Sequence, residues 1–353
     1  QTVLQEIEFT TIYPLYGESD IHASTKFRNK AMLADLRKQL KEILNVLEYI
    51  KPQQENLLFQ QRINEIIYFQ GQLNNHHFVV ETQIMRYITD TIHPLFKQLS
   101  DINEYKLLID AYNSQLDDKK QRFWDQRKKY DLSIQTINKQ LTDILDTEQA
   151  AAQKVYPHYY ERFKSDGVEH NLFIGNSITP TQIYDVVYLY NLRLWQLQIL
   201  CKMVIMHHKT KQHLPLNMDL TSLVMVYNEP NSIKFRMDEK RFDVESNDDI
   251  RFELMKKRLA KAHVKDTAER LVQVDKLTVV YINETDKADY LNYFDFLIKQ
   301  NYFTGEIEYL TVEDLQDITN LKALRLTINT AFNIDNFKMF SYTDFVHYIT
   351  KFA

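Results

Sequence analysis

Glycine is scarce in this chain, at 5 of 353 residues, where roughly 7% is usual. The shortage argues against a Gly-rich sandwich and against a phosphate-cradling loop, and it favours long helices. Proline is also sparse, at 7, so few points force a helix to stop. The single cysteine, Cys201, excludes an intrachain disulfide. With Leu200 and Met203 beside it in a helical pattern, it reads as a buried, inert thiol in a reducing cytoplasm. No apolar run approaches the roughly 20 residues that cross a bilayer, and no signal-peptide pattern opens the chain. No membrane partner is expected. Positive charge is in deficit, with 43 Lys+Arg against 48 Asp+Glu and a net charge of −5, so there is no global field to gather nucleic acid. The chain opens on Gln1 without a methionine, which suggests a piece of something longer.

What is present is core material. Hydrophobic residues make up 44% and aromatic residues 12%, with 22 Tyr and 20 Phe, and the length suits about two domains. Residues 1–17 read as a lead-in segment, with an extended piece at 7–13 ended by Pro14 and Gly17. Ser19, Asp20, Ser24 and Thr25 offer caps for a helix whose seam is Leu33, Leu36, Leu40, Ile43 or Leu44, Leu47 and Ile50. Further helices read at 57–73, at 78–99 with a bend at His93–Pro94, and at 104–116. Residues 119–164 contain no glycine and read as one very long helix, on the order of 50 Å or more at 1.5 Å per residue. It is expected to stop at Ser165-Asp166-Gly167, and a last helix to run from Thr181 to His208.

At Pro215 the apolar period changes from about 3.6 to 2. Strands read at 220–227, in a hairpin with Ile233, Phe235 and Met237, at 277–282, at 307–311 and at Leu324, Leu326 and Ile328. Helices read at 248–264 and 286–300, with a capping box at 341–344 opening the last. The fold class expected is therefore mainly α. An antiparallel helical bundle at 18–215 with one very long helix precedes a C-terminal α+β domain at 216–353, whose mixed sheet is packed by helices and centred on the 277 strand.

The candidates for chemistry are modest. Asp166, Gly167, Glu169, His170 and Asn171 cluster polar groups beside a glycine that lets a ligand approach closely, although Asp-Gly after a helix is also ordinary termination chemistry. Arg193 interrupts an otherwise apolar helix. Arg236 and Asp238 stand in a charged hairpin, and Lys256 and Arg258 on a basic helix could dock phosphate, though alternating charges usually mark a solvated face. His207, His208 and His213 lack the i, i+4 pairing and neighbouring ligands of a metal site, so no metal is expected. No nucleophile elbow, Walker loop, dinucleotide fingerprint or kinase signature is present. No catalytic residue and no cofactor is nominated.

Four blocks carry a resemblance: 12–21 (IYPLYGESDI) with 25–30 (TKFRNK), 156–171 (YPHYYERFKSDGVEHN), 192–197 (LRLWQL), and 235–244 (FRMDEKRFDV) with 256–258. Together they resemble the C-terminal part of large bacterial GAF-domain-containing proteins. The resemblance implies a sensory GAF domain upstream of Gln1 and offers no catalytic residues to carry over. The expected function is a non-catalytic cytoplasmic signalling module, relaying a change from that sensor through the helical bundle to the α+β domain. Its partner would be a protein or that upstream domain, with a homodimer possible. Two alternatives stand beside it: nucleotide or phosphate-ligand binding, or an enzyme, in 216–353; and a structural dimerisation scaffold.

Overall fold

A computed structural model describes residues 7–50, 57–74, 80–116, 122–227, 231–236, 241–244, 255–256, 258–315 and 319–352. The chain divides into two compact units, one of residues 23–132 and one of residues 1–22 with 133–353. This division differs from the expected boundary at 215. The expected helical bundle with a very long helix ahead of a C-terminal α+β domain is overturned. The sheet begins at the N-terminal end of the chain, and a hairpin from the stretch read as helical lies inside it.

In the smaller unit, α1 (Ser24–Ile50) buries the expected seam of Leu33, Leu36, Leu40, Ile43, Leu47 and Ile50. Helix α2 (Leu57–Asn74) adds Phe59, Ile63 and Ile66 to the same core. Helix α3 (Val80–Tyr87) continues through a π-helical turn at Ile88–Ile92 into α4 (His93–Leu99), and Pro94, which has no N–H to donate, falls in the first turn of α4 directly after the π-helical turn. Helix α5 (Asn103–Leu116) contributes Tyr105, Ile109 and Tyr112. The buried Asp35 accepts backbone N–H groups from Gln126 and Arg127, both at 3.0 Å, and so caps the start of α6 (Asp125–Val155).

Helix α6 ends at Val155, short of the 119–164 span expected. Residues 159–164, which a helical reading had absorbed, form part of β2 (Tyr159–Ser165). A bend at Asp166 turns the chain into β3 (Gly167–Gly175). Ser165 pairs with Gly167 across this turn. The Asp-Gly pair is therefore a hairpin corner and not a helix stop, because Tyr, Phe and Val dominate its flanks and suit a pleated ladder.

In the larger unit, β1 (Ile7–Ile21) runs well past Pro14. On one side it pairs with β3 from Ile12 to Asp20; on the other it passes from β5 to β4. Pro14 falls between the last β5 pair, Ile12 with Asn231, and the first β4 pair, Leu15 with Val226. A proline is tolerated there because that side of the strand has no ladder bond to lose.

The remaining strands are β4 (Leu220–Val226), β5 (Asn231–Arg236), β6 (Arg241–Val244), β7 (Lys276–Tyr281), β8 (Phe303–Thr311) and β9 (Lys322–Ile328). The sheet order is β2-β3-β1-β4-β7-β9-β8, with β5 and β6 pairing off β1. The expected hairpin of 220–227 with 233–237 does not form, since β5 pairs with β1 and β6. The 277 strand is interior, parallel to β4 and antiparallel to β9, but the middle of the seven-strand path is β4 and not the 277 strand.

Strand β1 is antiparallel to both β3 and β4, and β9 to both β7 and β8. Each half is thus a split β-α-β unit, with α7 (Val186–Thr210) joining β3 to β4 and α8 (Glu284–Lys299) joining β7 to β8. The Asp185 side chain caps α7 by accepting from the Val187 N–H at 2.8 Å, so the helix starts later than the expected Thr181. Helix α7 is apolar nearly all round because it is covered nearly all round. It meets the sheet through Ser19 and Met203, α6 through Lys202 and Glu148, and α9 (Tyr342–Phe352) through Asn191. The capping box opening α9 forms as expected, with the Ser341 N–H donating to Asp344 at 2.8 Å.

Candidate functional site

A strand turns alternate side chains to opposite faces, and β1 does so with polar groups on both. Gly17 and Ser19 face α7, while Tyr16 joins the core on the far face with Leu223, Met225, Met255 and Leu259. Glu18 and Asp20 share the face of Tyr16. Register places Glu169 of β3 beside Glu18, Asn171 beside Tyr16, and Gly167 beside Asp20. On β2, Glu161 stands beside Asn171. One face of three neighbouring strands therefore gathers four carboxylates, a phenol and an amide.

The Tyr16 hydroxyl lies 3.1 Å from Glu18 Oε2 and 3.2 Å from Glu169 Oε2. One hydroxyl carries one proton, so it donates to one carboxylate at a time. Burial pushes the Glu18 carboxyl up to about 7, with the negative charge of Asp20 adding to it. Glu18 thus holds a proton more readily than an ordinary carboxylate, while the Tyr16 hydroxyl, donating to Glu18 or to Glu169, opposes that rise. Burial likewise raises Asp20 to about 6, with Asp166 and Glu169 adding, while the Ile21 N–H and Lys261 oppose it. The Tyr16 phenol is held well above its usual value, first by burial and then by the two glutamates. Lys256 closes the inner end, its ammonium 5.0 Å from the Tyr16 ring centroid.

Of the residues nominated from sequence, Glu169, Asn171 and Lys256 come together here, with Asp166 and Gly167 at the neighbouring hairpin corner. A Cβ on Gly167 would meet the Ser19 carbonyl oxygen at 2.3 Å, and its φ of +148° is open to glycine. His170 is not part of the group. It points to the opposite face, fully buried against Trp195, where burial lowers it to about 4. Gln196 Nε2 donates to His170 Nε2 at 3.2 Å, leaving the imidazole proton on Nδ1. Arg193 lies apart from this group as well: it is buried in α7, with Nη1 3.9 Å from Asp289 Oδ2 of α8. Arg236 ends β5, in register with Arg241. Asp238 lies outside the described residues. Arg258 makes no side-chain hydrogen bond or ion pair among the described residues.

Sequence reasoning missed Tyr16, Glu18 and Asp20. Their i, i+2 spacing was the available signal, hidden because Pro14 and Gly17 read as the end of the strand.

Among the described residues no group of three or more His, Cys, Asp or Glu is placed to hold a metal ion. His207 instead shares a hydrogen bond between Nε2 and the Met218 carbonyl at 2.7 Å. The smaller unit has its own open groove of about 750 Å³, lined in part by Arg62, Glu65, Tyr68, Phe69 and Tyr87. Glu65 there already accepts from Arg62, Tyr87 and Gln61. No helix among the described residues is long and apolar enough to cross a membrane. No family model, no curated protein and no solved structure matches the chain.

Proposed function

We propose that this chain is a non-catalytic, cytoplasmic regulatory module in which the carboxylate face of β1 and β3 receives a positive charge. The response is a change in how the segment from Met255 to Asp275 docks on that face. The observation that carries this reading is Lys256. Its ammonium sits over Tyr16, whose hydroxyl bridges Glu18 and Glu169, so the chain itself supplies a cation to a face with surplus negative charge. Met255, Leu259, Ala262 and Leu271 hold the same segment by apolar contact with Tyr16, Leu223, Met225 and Val280. A competing cation or a proton shifts the charge balance at Lys256, within a segment whose apolar contacts run from Met255 to Leu271, and so biases how that segment docks. The resemblance to GAF-containing proteins supports a signalling setting for such an element.

The rival reading, a phosphate or nucleotide on Lys256, fits this geometry less well. A bound anion would lie against Glu18 and Glu169, and like charges at that range repel.

Hydrogen exchange tests the proposal. Lys256→Met keeps the bulk and removes the charge, and it should raise exchange across 255–275 at least tenfold, with the β7 and β9 amides unchanged. Equal protection in the two proteins would remove the basis for the reading.

A further inference from the structure

Among the described residues, the carboxylate face keeps acceptor oxygens with no donor, although Glu161 already accepts from the Tyr159 hydroxyl at 3.1 Å and from Asn171. Three rows cross it by register: Glu161, Asn171 and Tyr16; then Phe163, Glu169 and Glu18; then Ser165, Gly167 and Asp20. Neighbouring strands lie about 4.8 Å apart and same-face residues along a strand about 7 Å. Glu161, Glu169 and Asp20 therefore step diagonally over the three strands at intervals of about 7–8 Å. Oε1 of Glu18 and Oε1 of Glu169 accept no hydrogen bond among the described residues.

Asn171 gives a second and independent indication. It is 4% exposed, and its Nδ2 donates to Glu161 Oε2 at 3.5 Å, so its carbonyl oxygen is turned away from that carboxylate. That buried Oδ1 has no donor among the described residues. Buried acceptors are nearly always satisfied, and what this one lacks is an N–H or O–H arriving on the carboxylate face. Beside it, Phe163 is 43% exposed on the middle row and offers apolar surface between the charges.

We infer that this face binds a linear aliphatic polyamine, whose ammonium groups donate to Glu161, Glu169, Asp20 and the Asn171 carbonyl, and whose methylenes cross Phe163. A row of separated carboxylates suits a chain of separated ammonium groups. A metal ion needs its oxygens around one point, and among the described residues no three such ligands are placed so. An ammonium is already at home at the inner end of the face, in Lys256 over Tyr16. The inference rests on the reading that this face receives positive charge.

Titration calorimetry on the 353-residue chain tests it with a linear tetraamine, a diaminoalkane and MgCl₂ at matched ionic strength. The tetraamine should bind with one site, the diamine more weakly, and Mg²⁺ should neither bind nor compete. Glu161→Gln, at the edge strand where folding is safe, should weaken tetraamine binding about tenfold, the loss of one charged hydrogen bond. Asn171→Asp should tighten it, whereas a purely structural asparagine would show no gain. Absence of tetraamine binding, equal competition by Mg²⁺, or an unchanged Kd in both variants would each overturn the inference. Tetraamine binding that leaves exchange at 255–275 unaltered would uphold the polyamine site and discard the regulatory reading. A response of that segment to Lys256→Met with no tetraamine binding would do the reverse.

Discussion

Gly17 lies directly beneath the His170 imidazole: a Cβ built on it would stand 2.5 Å from Cε1 and 2.7 Å from Nε2. The contact explains why the central strand carries a glycine. Any side chain would lift His170 off β1 and into Gln196 and Trp195 of α7.

Gly17→Ala should therefore destabilise the larger unit by about 1–3 kcal/mol, the usual cost of overpacking. Gly71→Ala is the control, because that helical glycine has open space around its Cβ and the change should stabilise by roughly 0.5–1 kcal/mol. Chemical denaturation of both variants checks the pair, and equal effects of one sign would contradict it.

Stability should depend on pH in opposite directions at the two faces of β1. Glu18 is raised in the fold from 4.5 to about 7, so the native state binds the extra proton. Its contribution is complete below about 4.5 and is lost as pH rises through about 7. His170 is lowered from 6.5 to about 4, so its contribution is complete above about 6.5 and is lost as pH falls through about 4. The two partly cancel in the parent chain. Glu18→Gln removes the first alone, and its stability relative to the parent should climb steadily from pH 5 to pH 8. A difference that stays flat over that range would refute the assignment of the proton to Glu18.

Arg325 is buried on β9 while its partners Glu308 and Glu269 keep some access to water; it also donates to the Leu271 carbonyl at 3.1 Å. Arg325→Met should cost about 3 kcal/mol, the low end for breaking a buried pair, because both carboxylates can rehydrate. Arg325→Lys should recover only part of this, since a single ammonium cannot reproduce the fork. Urea denaturation reads both, and full recovery by lysine would be the unexpected result.

Cys201 is fully buried and its thiol is raised by burial. Modification by an aromatic disulfide reagent should be negligible in the native chain and follow urea unfolding with the same midpoint as circular dichroism. Rapid labelling without denaturant would show that α7 opens locally.

Much of the local structure was legible in the sequence. The Leu33-to-Ile50 seam, the apolar 277 strand and the Ser341–Asp344 box each depend on neighbours within a turn or a strand, and each element formed where spacing placed it. The misreadings share another cause. Residues 159–164 (YYERFK) lack a breaker and pass for helix, yet they form a strand because β3 presents a partner. The site was half visible. Glu169, Asn171 and Lys256 were picked for their chemistry, but Glu169 and His170 were joined as sequence neighbours when a strand must separate them.

What the sequence by itself determined was the supply of apolar faces, the scarcity of turns and the lone inert thiol, all properties of composition and short-range period. Only the tertiary structure decided that the first strand lies between the third and the fourth, and that the Tyr16 hydroxyl reaches both Glu18 and Glu169 beside Lys256. Pairing between residues 153 positions apart depends on which ladder closes in space, and no local periodicity encodes that choice.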